Sequence, residues 1–148
     1  MVRIVFDTNV VVSGLLWSGA PHQALRFAAG KRIAAITSEA LVDELRDVLN
    51  RQKLRRFLER IQKSADELVE DYLAYTAIIE PFPVLDDAVS DIDDLIVLEA
   101  AVGGGANCVV TGDDDLLRIG SYAEIAILPV QALVQRIEDD DLSQALGE

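Results

Sequence analysis

Apolar and polar positions along the chain follow two alternating patterns, one typical of strands and one of helices. Short apolar runs, rich in β-branched residues, predict buried strands at residues 2–6, 33–37, 107–111 and 125–128. Helical spacing or helix signals occur at residues 21–29, 38–49, 54–62, 65–79, 91–102, 114–117 and from Pro129 onward. Strands that alternate with helices indicate a parallel sheet covered on both faces. The pattern therefore predicts an α/β fold with a central, mainly parallel sheet.

Caps and breakers set the limits of several of these elements. Ser38 is a helix cap, and Gly30 and the run 103–105 of glycines end helices. The segment Pro81-Phe82-Pro83 forces an extended connection. The two helices at 54–62 and 65–79 are expected to form a helical hairpin.

Length and composition fit one folded domain over residues 1–148. The chain is 51% hydrophobic, and its acidic end, 138–148, is expected to fray. Apolar runs stay far below the roughly 18 residues of a membrane helix, and Asp7 comes too early for a signal peptide. The single cysteine, Cys108, excludes an internal disulfide. We therefore expect a cytoplasmic protein without a membrane partner.

The formal net charge of −13 argues against a nucleic-acid partner, but the basic residues are concentrated in one segment. Seven of the 13 basic residues lie between positions 46 and 63, namely Arg46, Arg51, Lys53, Arg55, Arg56, Arg60 and Lys63. This segment is either a solvated helix face or a surface that contacts phosphates. Charge alone leaves both interpretations open.

Several chemistries are excluded by the residues that the chain lacks. His22 is the only histidine, which excludes histidine-based zinc catalysis and leaves Cys108, in a predicted strand, as a small core residue. The glycines at 14 and 19 are followed by Ala20-Pro21 rather than by the lysine of a phosphate-binding loop. The remaining candidates for chemistry are carboxylates.

Two carboxylates stand out in the first third of the chain. Asp7 ends the first predicted strand, where ligands of open parallel sheets bind, and Thr8 and Asn9 could orient it. Glu44 lies at the margin of the apolar stripe of its helix. A capping role for Asp7 and a solvated position for Glu44 are the alternatives.

Further acids precede two later helices. Asp91, Asp93 and Asp94 begin one helix, where capping accounts for one or two acids but not for three. Asp113, Asp114 and Asp115 follow the third strand, which ends at Thr111.

These acids can meet at one edge of the sheet. At 4 Å and an effective dielectric constant of 20, each like-charged pair costs about 4 kcal/mol, so such a cluster requires a cation or bound protons. Oxygen ligands without Cys or His select a hard divalent cation, Mg²⁺ or Mn²⁺. Sites of this kind commonly hydrolyse phosphate esters or phosphodiesters.

At this point the chain resembles a known family, the PIN domain nucleases, and within it the VapC-like toxins of toxin–antitoxin pairs. The resemblance covers nearly the whole chain and rests on four segments in order: VFDTNVVVS at 5–13, SEALVDELRDVL at 38–49, DIDDLIV at 91–97 and VTGDDDLL at 110–117. It implies a three-layer α/β/α sandwich, Mg²⁺- or Mn²⁺-dependent ribonuclease activity, an RNA substrate, an antitoxin partner and often a homodimer.

The resemblance also assigns residues to roles. The implied catalytic acids, which would also bind the metal, are Asp7, Glu44, Asp94 and Asp113. Family members vary between the positions of Asp113 and Asp115, so Asp115 is an alternative or additional metal ligand. Supporting positions around them are Thr8, Asn9, Asp91, Asp93 and Thr111. Asp114 departs from the family, in which a basic residue is common at that position.

Three further interpretations bear on function. Arg51, Lys53, Arg55 and Arg56 are proposed to flank the acids and to neutralise RNA phosphates. A non-catalytic interaction protein or a free-standing nuclease without an antitoxin is the alternative to a toxin. A phosphatase of the haloacid dehalogenase type is rejected, because position 9 is Asn and no lysine follows Lys63.

Overall fold

A computed structural model describes residues 1–85 and 89–145 of the chain. The first half contains β1 (Arg3–Phe6), α1 (Thr8–Leu16), α2 (Ala20–Ala29), β2 (Ala34–Thr37), α3 (Glu39–Leu49), a 3₁₀ turn (Gln52–Leu54), α4 (Arg55–Ile61), α5 (Ala65–Leu73) and β3 (Thr76–Ile78). The second half contains α6 (Ile92–Gly103), β4 (Cys108–Val110), α7 (Asp114–Ile119), β5 (Ser121–Tyr122), β6 (Ile125–Leu128) and α8 (Val130–Ala145).

The strands form one six-stranded sheet in the order β3-β2-β1-β4-β6-β5. All neighbouring pairs are parallel except β5 with β6. The chain moves outward from β1 to β3 and then crosses back to place β4 on the other side of β1. The strand order therefore reverses between β1 and β4, the position at which open α/β sheets bind ligands.

Alternate residues of the four central strands, β2, β1, β4 and β6, enter two separate hydrophobic cores. In β1, Ile4 and Phe6 pack with helices α1, α2, α3, α5 and α8, whereas Val5 packs with α6 and α7. This alternation is the period-2 pattern of a strand covered on both faces. The fold is the predicted three-layer α/β/α sandwich with a mainly parallel sheet.

Three local predictions were incomplete. The helix predicted over 65–79 ends at Leu73, and Thr76–Ile78 instead pairs with β2 as an edge strand, so the hairpin is shorter than expected. Helix α1 was not predicted, because its three consecutive valines are all buried and give no helical alternation of polar and apolar positions. The two-residue strand β5 carries too short a pattern to be read from sequence.

The acidic end is more ordered than predicted. Residues 138–145 continue α8, whereas the rest of the segment predicted to fray, 146–148, lies outside the described residues. Among the described helices, none is long and apolar enough to cross a membrane.

Close packing of α1 against α2 requires a residue without a side chain at position 14. A Cβ atom added to Gly14 would lie 2.6 Å from Leu25 Cδ1 and 2.8 Å from the backbone oxygen of Pro21. We expect Gly14→Ala to lower the free energy of unfolding by roughly 1–2 kcal/mol, since overpacking outweighs the gain in helix propensity. Chemical denaturation measures the change. Gly112→Ala is the matched control, because a Cβ there meets nothing within 4 Å; equal losses would contradict the packing argument.

Candidate functional site

The parallel pairing of β1 with β4 brings the ends of both strands together. Phe6 is opposite Val110, and the Asp7 N–H donates to the Val110 carbonyl at 2.9 Å. The Thr111 hydroxyl donates to Asp7 Oδ2 at 2.7 Å, and the Thr8 N–H donates to Asp7 Oδ1 at 2.7 Å. Both carboxylate oxygens of Asp7 are thus held at the edge of the sheet. Thr111, one of the predicted supporting residues, lies in hydrogen-bond contact with Asp7.

Asp113 is fixed by the same threonine. Its N–H donates to Thr111 Oγ1 at 3.0 Å, and its Oδ1 accepts from the N–H groups of Asp115 at 2.7 Å and Leu116 at 3.2 Å. This carboxylate therefore caps α7 while it remains joined through Thr111 to Asp7. Capping and membership of an acidic site are compatible at this position.

Three carboxylates form the tightest group among the described residues. Asp94, Asp113 and Asp115 each present an oxygen within 4.8 Å of the other two. Asp94 lies in the first turn of α6 and is only 4% exposed, whereas Asp115 is open to solvent. The structure brings together both candidates for the fourth acid, Asp113 and Asp115, rather than one in place of the other.

Glu44 faces the same region from α3 but lies outside that tight group. Its pKa is raised to about 7 by burial first and then by the negative charges of Asp93 and Asp7, while Arg51 lowers it. The nearby Thr8 side chain also lowers this pKa. Among the described residues, Glu44 Oε2 and Thr8 Oγ1 are both buried without a hydrogen-bond partner.

Asp7 and Asp94 also have raised pKa values, which favour the neutral form of each carboxyl group. Burial is the main cause of the raised pKa of Asp94, followed by the charges of Asp113 and Asp91. Burial also raises the pKa of Asp7, against the two hydrogen bonds that lower it. Without a cation, the site therefore holds more protons than free carboxylates would.

The other predicted supporting residues occupy different positions. Asp91 caps α6 by accepting from the Asp93 N–H at 2.8 Å. Asp93 is exposed, but its charge raises the pKa values of Asp7 and Glu44 and so acts on the site. Asn9 is exposed in α1 and, unlike Asp93, has no contact with the acids among the described interactions.

The donor set fits a hard divalent cation. Every candidate ligand is a carboxylate oxygen, one of them is buried and unpartnered, and like charges are held close together. A divalent cation is the partner that such a set favours. Asp94, Asp113 and Asp115 would hold it, with Asp7 and Glu44 adjoining.

Of the four predicted basic residues, Arg51 directly precedes the 3₁₀ turn, Lys53 lies in it, and Arg55 and Arg56 begin α4. All four are exposed, and within residues 1–85 and 89–145 none has a carboxylate within 4.0 Å, unlike Arg46 and Lys63, which are in ion pairs. Arg51 is near enough to lower the pKa of Glu44. Arg56 is 5.3 Å above the Phe57 ring, which packs edge-to-face on Trp17 at 5.2 Å and ties α4 to α1.

One residue beside the acids was missed by the sequence analysis. Arg118 pairs with Asp115 at 3.1 Å, from Nη1 to Oδ1, and lines a cavity with Asp94 and Asp91. Its spacing of three residues from Asp115 on a helix was the available signal.

Comparison with known proteins identifies the family. The family description "PIN domain" matches residues 3–115, a range that includes the acids of all four segments, and the chain belongs to this family. Proteins of this family are generally nucleases. The comparison with curated proteins gave no match.

Two solved structures show the same fold. One is the crystal structure of VapBC2 from Rickettsia felis bound to a DNA fragment from the VapBC2 promoter. The matching chain is 14% identical, with a TM-score of 0.57 and coverage of 84% of this chain and 96% of that chain. PAE2754 from Pyrobaculum aerophilum is 17% identical, with a TM-score of 0.59 over 93% of this chain and 96% of that chain. Both similarities support the predicted fold.

The raised pKa values predict a pH-dependent stability for the metal-free protein. Between about pH 4.5 and 7 the folded state binds more protons than the unfolded state at Glu44 and Asp94, so the free energy of unfolding falls as pH rises. We expect the melting temperature in EDTA to fall across this window and Mn²⁺ to oppose the fall. Thermal melts from pH 4.5 to 7.5 measure both effects.

Glu44→Gln should make the decline in EDTA shallower, because it removes one of the two groups. Glu39→Gln, an exposed position on the same helix, is the control and should keep the wild-type slope. A Glu44→Gln slope equal to that of Glu39→Gln would contradict the assigned environment of Glu44.

Proposed function

We propose that this chain is a metal-dependent endoribonuclease that hydrolyses RNA phosphodiester bonds. The observation that carries the proposal is the meeting of acids from β1, α3, α6 and the β4–α7 connection at one sheet edge. The donors are oxygen only, and one carboxylate oxygen, Glu44 Oε2, is buried without a partner among the described residues. The all-oxygen donor set fits Mg²⁺ or Mn²⁺.

The catalytic acids of this proposal are Asp7, Glu44, Asp94 and Asp113, with Asp115 as a further metal ligand. A bound divalent cation supplies activation of water and stabilisation of the leaving oxygen. In this proposal Glu44 Oε2, which is buried without a hydrogen-bond partner among the described residues, accepts a hydrogen bond from the attacking water. Thr111 holds Asp7 and Asp113 in place through its hydroxyl.

The RNA strand lies along the flank formed by Arg51, Lys53, Arg55 and Arg56. These side chains are exposed, and their charges are not cancelled by ion pairs across the described ranges. They offset the overall charge of −13 where the substrate approaches.

The biological role in this proposal is that of a cytoplasmic toxin in a type II toxin–antitoxin pair, acting as a homodimer of one-domain chains. The VapC-like motif segments and the similarity in fold to VapBC2 support it. A short neighbouring gene that encodes a small DNA-binding protein is expected to supply the antitoxin. Co-expression of the two genes should relieve growth inhibition; toxicity that is unaffected would point to a free-standing nuclease.

Asp7→Asn tests the active site directly. We expect Mn²⁺-dependent cleavage of single-stranded RNA to fall by at least about 100-fold, because a group at the centre of the site loses its charge. The melting temperature in EDTA should be unchanged or higher, since one repulsive charge is gone. Asp47→Asn, an exposed acid of α3, is the control. Wild-type cleavage rates in purified Asp7→Asn protein would refute the assignment.

Replacement of the four basic residues by Gln tests the RNA surface. Each phosphate contact contributes about 0.7 to the salt dependence of binding for single strands, so the slope should decrease by up to about 3. Anisotropy of a labelled 2′-O-methyl oligonucleotide over a NaCl series measures it. The control removes four exposed charges elsewhere, at Arg3, Arg26, Lys31 and Arg136. Equal slopes in the two variants would mean that the basic segment is only a solvated face.

A further inference from the structure

A cavity of about 310 Å³ opens beside the acidic group. Its walls include Ser90, Asp91 and Asp94 at the start of α6, and Asp115 and Arg118 on α7. Among its described lining residues, Arg118 is the one cation. The volume is within the range of ligand pockets, at its lower end.

Asp115 belongs to two interactions at once. One of its oxygens lies within 4.8 Å of ligand atoms of Asp94 and Asp113, and Oδ1 accepts from Arg118 Nη1 at 3.1 Å. The side chains of Arg118 and Asp115 are 75% and 72% exposed, so this pair is weak and readily exchanged. A cation at the acidic group would neutralise Asp115 in place of the guanidinium.

Sheet order separates Arg118 from the other candidate phosphate contacts. The segment from Arg51 to Arg56 follows β2 and α3, on one side of β1, whereas α7 connects β4 to the β5–β6 pair on the other side. An RNA strand that places a phosphodiester over the acids must continue past both sides. The basic segment can contact only one of these two flanks.

We propose that Arg118 is a phosphate contact for the RNA strand on the β4–β6 side of the site, released from Asp115 when a divalent cation binds. The inference rests on the proposed nuclease function. In the metal-free protein, Arg118 neutralises Asp115. In the metal-bound protein, Arg118 binds a backbone phosphate of the RNA strand where the strand passes the cavity. A guanidinium suits this exchange, because its planar donors match carboxylate and phosphate alike.

The test compares Arg118→Gln with Arg32→Gln, which removes the same charge from another exposed Arg–Asp pair. Binding of a labelled 2′-O-methyl 12-mer is followed by anisotropy over a NaCl series, once with Mn²⁺ and once with EDTA. With Mn²⁺, the slope of Arg118→Gln should decrease by about 0.7 relative to wild type and to Arg32→Gln. In EDTA the three slopes should agree. Arg118→Lys should keep the wild-type slope, because it keeps the charge.

Asp115→Asn provides the converse test. In EDTA it should increase the slope by about 0.7, since Arg118 is already released, and adding Arg118→Gln to it should cancel the increase. Equal slopes for Arg118→Gln and Arg32→Gln with Mn²⁺ would overturn the phosphate contact. If Arg118→Gln decreased the salt-dependence slope equally with Mn²⁺ and with EDTA, the proposed release of Arg118 by the metal would be overturned.

Cleavage of ordinary RNA by the wild-type protein separates this inference from the function on which it rests. If the wild type cleaves RNA with Mn²⁺ and Arg118→Gln behaves as Arg32→Gln, only the role of Arg118 is refuted. If the wild type neither cleaves nor binds RNA, the nuclease proposal and the role of Arg118 fail together.

Discussion

The parallel pairing of β1 with β4 is the constraint on which the rest of the site depends. These strands come from distant parts of the sequence, and their register places Asp7 beside Thr111. The connection that leaves the carboxyl end of β4 brings Asp113 to the same edge, and the first turn of α6, the helix that precedes β4, brings Asp94 beside it. Because buried β-branched residues on both faces fix this register, a shift of one residue would exchange the two cores.

The site works against the stability of the fold. Several carboxylates lie close together and partly out of water, so their pKa values rise and one buried oxygen of Glu44 has no partner among the described residues. The local rules of satisfied polar groups and balanced charge are broken together at this site. Repulsion between like charges and buried polar atoms without partners are typical of functional sites, where a bound ligand or cation compensates for both.

Two groups of cations are the proposed contacts of an anion in this acidic protein. The first is the segment that follows α3, from which Arg51 lowers the pKa of Glu44, and the second is Arg118 on α7, which pairs with Asp115. They are the two proposed flanks of the site. The first flank is held in place by aromatic contacts, since Phe57 packs against Trp17 of the α1 end and carries Arg56 above its ring. The second flank is held by an exchangeable ion pair. The first flank is thus packed against the end of α1, whereas the second depends on an exposed ion pair.

The sequence by itself determined the α/β class, most strands and helices, the helix caps and the family, because these depend on local period, capping chemistry and motif order. Ser38, for example, caps α3 as predicted. Only the tertiary structure decided elements without a local signal: the valine-rich α1 is a helix because it is buried, and 76–78 is a strand because β2 offers a pairing edge. It also decided which acids meet. Asp94, Asp113 and Asp115 group tightly while Glu44 stays apart, since distances between side chains from different elements depend on strand order and helix packing.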